Sequence, residues 1–194
     1  MPRQKEFNEI NALEAAMYAF WRKGYDATSL NDLESSMSLT RTSIYNTFGN
    51  KQKLFEKVIQ HYQKAALGEL LFLLDDAKNI QEGIKKFLYG IVDFHFKKNT
   101  PGGCLIVLSI LEREQHQPET TRILEQAIQT MQKILYKHIK NAKDAGEING
   151  NSDPRIIATT IVTAVTGLIV MGKAGFSKAT LRDVSNTICG LLVK

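Results

Sequence analysis

The sequence predicts an all-α protein, on three observations. Apolar residues recur at spacings of three and four along nearly the whole chain, which is the period of one helix face. Alternating apolar and polar runs, the mark of half-buried strands, are absent. Proline, glycine and capping residues divide the chain into helix-sized segments, with no repeat, low-complexity tract or flexible linker between them.

In the first segment Ile10, Leu13, Ala16, Met17, Phe20 and Trp21 form one stripe, which stops at Gly24. Ser29 and Asp32 have capping-box spacing and open a short second helix that carries Leu30 and Leu33 and fades near Met37. Thr40 caps a third helix running to about Thr47, and Asn50 can cap a long fourth from Lys51. Beyond residue 75 the pattern predicts helices over 79–98, 103–115, 118–145, 154–173 and 178–193. Thr100-Pro101-Gly102-Gly103 is a break, and Pro118 and Pro154 each suit a first helical position, the latter with Asp153 as cap. Gly146 and Gly150 bracket the loop before the eighth helix.

The 194 residues are 43% hydrophobic and 23% charged, enough for a well-buried core in one domain or in a small domain attached to a larger one. A net charge of +5 permits a polyanionic partner. Residues 1–64 hold 9 Lys and Arg against 7 Asp and Glu, and residues 65–194 hold 16 against 13, so any basic face must arise by folding. Cys104 and Cys189 have neither CxxC nor Cys/His ligand spacing, which predicts no disulfide framework and no zinc site and fits a reducing cytoplasm. The start MPRQKEFNEI has no apolar run, so no secretory leader is expected. Residues Ile156 to Gly172 carry no charge for 17 positions but contain four threonines and two glycines, which predicts a helix buried on most sides rather than a membrane span.

A short helix, a turn of three or four residues and a second short helix opening on Thr40-Arg41-Thr42-Ser43 have helix-turn-helix spacing. From Ser35 to Phe55 there is no acidic residue, while Arg41, Lys51 and Lys53 stand among Thr, Ser, Asn and Tyr. Such residues supply hydrogen bonds to phosphates and base edges. Periodicity alone is equally consistent with Tyr45 and Phe48 as core aromatics and the lysines as a solvated face.

The run from Ala12 to Tyr62 closely resembles the DNA-binding domain of the TetR family. The match is densest in Gly24-Tyr25-Asp26-Ala27-Thr28-Ser29 and from Leu39 through Tyr45 to Phe55. The resemblance implies a three-helix DNA-binding head over 1–50 and a helical regulatory and dimerisation domain over 51–194, with helix 51–75 as connector. It implies groove-facing roles for Thr40, Arg41, Thr42 and Asn46, phosphate contacts by Tyr45 and Lys51, and further phosphate contacts by Thr28 and Ser29 at a helix N-terminus. Two positions depart from the family pattern: Ser38 stands where glycine is usual in the turn, and Glu34 where alanine is usual on the second helix. The serine is tolerable if its backbone angle is ordinary, and Glu34 must face solvent or find a partner.

The later half is similar to one branch of the family through Pro101-Gly102-Gly103-Cys104-Leu105-Ile106 and through the run from Gly167 to Ser177. The resemblance implies a four-helix dimer interface from the last two helices, with Ile157, Ile161, Ala164, Val165, Leu168, Leu181, Val184 and Ile188 as candidates. It also implies an effector cavity, for which Phe87, Ile91, Phe94, His95, Leu105, Leu108, Leu111, Glu112 and Tyr136 are candidates. The functional expectation is a cytoplasmic repressor that binds a palindromic operator as a homodimer and is released by a small-molecule effector, with no cofactor, metal or membrane partner. No nucleophile elbow, phosphate loop, dinucleotide fingerprint or HExxH is present, so no enzyme is expected. A helical adaptor or small-molecule-binding protein without DNA activity is the alternative.

Overall fold

The computed structural model describes residues 7–148 and 151–192. Among these the chain forms nine α-helices and one 3-10 turn, and no strand. The first four helices are set by local capping. Asn8 accepts hydrogen bonds from the backbone of Ile10 and Asn11 and starts α1 (Glu9–Lys23), which ends at Gly24. Ser29 and Asp32 form a complete capping box for α2 (Leu30–Met37). Thr40 accepts from the Ser43 N–H to start α3 (Arg41–Phe48), and Asn50 does the same with Lys53 for α4 (Lys51–Asp75).

Two of the expected helices are longer in sequence than in structure. α5 (Ile80–His95) stops at Phe96 instead of reaching residue 98, and α6 (Leu105–Leu111) starts late because Gly102 and Gly103 both have positive φ. The rest of the expected 103–115 helix tightens into a 3-10 turn, Arg113–Gln115. α7 (Pro118–Asp144) and α8 (Pro154–Lys173) each begin on their proline, and α9 (Lys178–Leu192) closes the fold. Gly150, Val193 and the first six residues, on which the loop, final-helix and leader readings partly rest, lie outside the described residues.

Two buried clusters hold the molecule together. The first joins α1 to α4 through Phe20, Leu33, Ile44, Leu54, Phe55, Val58 and Ile59, all essentially without solvent exposure. Burying side chains of this size stabilises by about 1.5–3 kcal/mol each. This cluster continues into α6 and α7 through Leu105, Ile106 and Leu124, so the small helices are seated on the larger body. The second cluster fills the body between α5, α7, α8 and α9 with Ile84, Phe87, Leu88, Leu135, Ile139 and Ile161.

α8 is long and apolar enough to cross a membrane by length and composition. It runs instead through the body, burying Ile157, Ile161, Val165, Leu168 and Ile169, and contacts α5, α7 and α9. Its four threonine hydroxyls donate to carbonyls one turn back, at Arg155, Ile156, Thr159 and Val162. Near its end Gly172 admits the His95 ring so closely that a Cβ would stand 2.7 Å from Nε2.

Candidate nucleic-acid interface

The groove-facing candidates share one surface because α3 buries only Ile44 and Phe48, four residues apart, and so turns Arg41, Thr42, Tyr45 and Asn46 outward. Tyr45 is 39% exposed, an open phenol rather than a core aromatic. Thr40 is also exposed, its Oγ1 accepting from the Ser43 N–H and 3.0 Å from Ser43 Oγ. On the flank, Ser29 is exposed at the start of α2, its hydroxyl donating to Asp32 Oδ2 at 2.8 Å. Lys51 donates to the Asp26 carbonyl at 3.3 Å and lies 4.5 Å from the Tyr25 ring centre. Partial burial lowers its pKa, with Asp26 opposing that shift.

Thr28 does not fit the side-chain role expected of it. It is fully buried and its hydroxyl donates to the Gly24 carbonyl at 2.6 Å, closing the α1–α2 connection. The condition set for Ser38 also fails: its backbone is left-handed, φ 52° and ψ 40°. Glu34 has found partners. Its Oε1 accepts from the Arg41 backbone N–H at 2.7 Å, and Oε2 lies 3.7 Å from Arg41 Nη2, which also donates to Asn31 Oδ1 at 3.2 Å. Sequence reading singled out Glu34 only as needing solvent or a partner and did not single out Asn31, since a carboxylate seven positions before an arginine meets it only once the turn is folded.

Behind this face the contacts continue into the body. His116, just before α7, stacks on Phe55 at 5.5 Å and meets the Tyr25 ring edge-on at 5.3 Å, with Nε2 3.0 Å from the Ser109 carbonyl oxygen. The buried Glu56 carboxylate receives Gln52, Lys53 and Thr120, the last joining α4 to the first turn of α7. Burial raises the Glu56 pKa, but these donors outweigh it and the carboxyl stays below its ordinary value.

An apolar cavity of about 50 Å³ lies between α4, α5, α6, α7 and α8, bounded by Tyr62, Ile91, Phe94, Cys104, Ile128 and Met131 among others. Burial pushes the Cys104 thiol up, and the Tyr62 phenol well up, so Cys104 lacks the lowered pKa of a reactive thiolate. Of the nine expected lining residues only Ile91 and Phe94 meet here. Phe87 is fully enclosed in the body core. Tyr136 packs on that core's rim with the Arg155 guanidinium 5.9 Å from its ring centre, and His95 is spent against Gly172. Leu105, Leu108, Leu111 and Glu112 border a different, open cleft of about 330 Å³ against the end of α1. The short α6 turns these four toward α1, away from the cavity.

The family model for bacterial regulatory proteins of the tetR family matches residues 12–58, and that for the tetracyclin repressor-like C-terminal domain matches residues 82–188. The chain belongs to the TetR family. It is 31% identical over 150 residues, 77% of either chain, to the uncharacterized HTH-type transcriptional regulator YezE of Bacillus subtilis. It is 25% identical over 186 residues to the HTH-type transcriptional repressor ComR of Escherichia coli, covering 95% of this chain and 89% of ComR. Among solved structures it is similar to a cysteine mutant of the TetR family regulator CifR in complex with a 26-base-pair operator DNA. That match has a TM-score of 0.88 and 27% identity, covering 96% of this chain and 98% of CifR. As a TetR family member this chain is a DNA-binding transcriptional regulator.

On the far side of this TetR body, α8 and α9 expose a second face. Ala164, Gly167, Leu168 and Met171 on α8 and Leu181, Val184 and Ile188 on α9 border it, with Phe176 at the corner between them. Three of the eight residues expected at a dimer interface are not on it: Ile157, Ile161 and Val165 are each under 8% exposed within the single chain. Ala164, Val184 and Ile188 reach the outer face, and the more deeply buried Leu168 and Leu181 also line it. The inner and outer stripes of α8 are both uncharged, and sequence reading mixed the two.

Proposed function

We propose that this TetR regulator is a repressor that binds a palindromic operator as a homodimer and is released by a small-molecule effector. The observation that carries the reading is the exposed α3 face, where Thr40, Arg41, Thr42, Tyr45 and Asn46 stand together with Ser29 and Lys51 at its flanks. Arg41, Thr42 and Asn46 are read as facing base edges, and Tyr45, Lys51 and Ser29 as facing phosphates. Residues 1–50 act as the reading head, 51–194 as the regulatory and dimerising body, and α4 as the connector. Two-fold symmetry of the operator requires two heads, and the outer α8–α9 face supplies an apolar surface for the second copy. ComR's name as a repressor and the operator DNA bound to CifR support the sign and the target. The role is regulatory rather than enzymatic, and cytoplasmic.

Footprinting of the DNA upstream of neighbouring genes tests the reading. The expected result is a protected, two-fold symmetric site. Lys51→Ala and Tyr45→Phe should weaken binding to all duplexes and reduce the salt dependence, whereas Asn46→Ala should change sequence preference. A wild-type protein that protects no site and shifts no duplex would point to the adaptor alternative.

A further inference from the structure

We propose that Glu34 is a specificity-determining residue, which holds Arg41 in a fixed reading position and repels phosphate from the N-terminus of α3. The proposal rests on the DNA-binding reading above and deepens it. Arg41 is the first residue of α3, and its backbone N–H is one of the unpaired donors that make a helix N-terminus attractive to anions. Glu34 Oε1 already occupies that donor at 2.7 Å. The second carboxylate oxygen and Asn31 Oδ1 hold one guanidinium nitrogen, Nη2, at 3.7 and 3.2 Å. The remaining guanidinium donors are not taken up by these contacts. An arginine reads guanine by a planar, two-pronged contact, which demands a fixed orientation.

Two consequences follow from a carboxylate at this place. A freely swinging arginine would bind any phosphate and so favour every sequence alike, whereas one braced by Glu34 and Asn31 gives up that freedom. The negative charge itself stands on a face that approaches a polyanion, penalising contacts that do not bring a matching base to Arg41. Glu34 is partly exposed, touches Arg41 from α2 and belongs to neither buried cluster, so alanine there removes the brace without opening the core.

The test uses the full-length protein with two probes, a duplex selected by the wild type from random sequence and a scrambled duplex of equal length. Glu34→Ala should bind the scrambled duplex ~3- to 10-fold more tightly, and its log K against log salt should steepen by ~0.9 per head, the share of one added phosphate contact. Its preference for the selected duplex should fall at least ~5-fold, since good bidentate pairs carry about that discrimination or more. Glu34→Gln, which keeps an acceptor for the Arg41 N–H, should lie between wild type and Glu34→Ala, with unchanged thermal unfolding in both variants. In an Arg41→Ala background, Glu34→Ala should no longer alter the preference. A Glu34→Ala protein with wild-type preference and salt slope overturns the role of Glu34 while leaving the DNA reading intact. If the wild type selects no duplex and binds the scrambled one without salt dependence, both readings fall together.

Discussion

Ser38 shows how a single backbone angle can decide what a residue costs. A left-handed conformation disfavours any side chain with a Cβ by roughly 1–2 kcal/mol, and glycine gives back about 0.4–1 kcal/mol through its freer unfolded chain. Ser38→Gly should therefore stabilise the head by about 0.5 kcal/mol, read as a small rise in thermal midpoint with no change in DNA affinity. Asp32 makes the opposite point about charge. Its hydrogen bond from Lys23 comes first, then those from the Ser29 backbone and hydroxyl, and they lower its pKa from 3.8 to about 2. A depressed carboxyl contributes stability above its unfolded pKa, so the contribution is complete above about pH 4 and disappears as pH falls through about 2. Carbon-detected NMR titration should place the Asp32 midpoint near 2, and Lys23→Ala should move it upward.

Among the helices, what could be read in advance depended on how local its cause was. Ser29, Thr40, Asn50 and Asp153 were legible as caps because each acts within three residues of itself. The end of α5 and the start of α6 were not, since the positive φ angles of Gly102 and Gly103 belong to a turn folded against His95 and Lys173. On α8 periodicity found the helix but could not say which apolar stripe meets this chain and which is left outside. The cavity candidates failed for a related reason: a residue's helix was right while its rotation about the axis was set by tertiary contacts. One such contact can be measured. Thr120→Val keeps shape but removes the hydroxyl that joins α7 to Glu56, and it should cost about 1–2 kcal/mol. Urea unfolding should show a lower midpoint with an unchanged slope, and unaltered stability would mean that Gln52 and Lys53 satisfy Glu56 alone.

For the whole molecule, the exposure of the outer α8–α9 face makes folding and assembly separable. Val184 is 42% exposed in the single chain, so Val184→Glu should leave thermal unfolding of the monomer within about 0.5 kcal/mol of wild type. In a two-copy assembly the same charge would be buried without a partner, at a cost of several kcal/mol. Sedimentation at micromolar concentration should then show a dimer for the wild type and a monomer for the variant, and the variant should lose most of its operator affinity because each head would bind alone. A wild type that sediments as a monomer would remove this face from the dimer.

The narrowness of the cavity sets a speed as well as a size. At about 50 Å³ it has room for little more than a few water molecules, whereas ligand pockets usually run to 300–1,000 Å³. An effector entering this cavity would have to wait for Tyr62, Phe94 and their neighbours to part, so its apparent dissociation constant would be divided by the fraction of molecules already open. Trp21 is the chain's one tryptophan, and it stacks on Phe94 at 5.7 Å and meets Tyr62 edge-on at 5.2 Å, which makes its fluorescence a reporter of that opening. In stopped-flow mixing with a compound found by thermal-shift screening, the observed rate should climb with concentration and then level off at the opening rate. A rate that rises linearly up to the solubility limit would mean the compound enters without waiting, through the wider cleft beside α1.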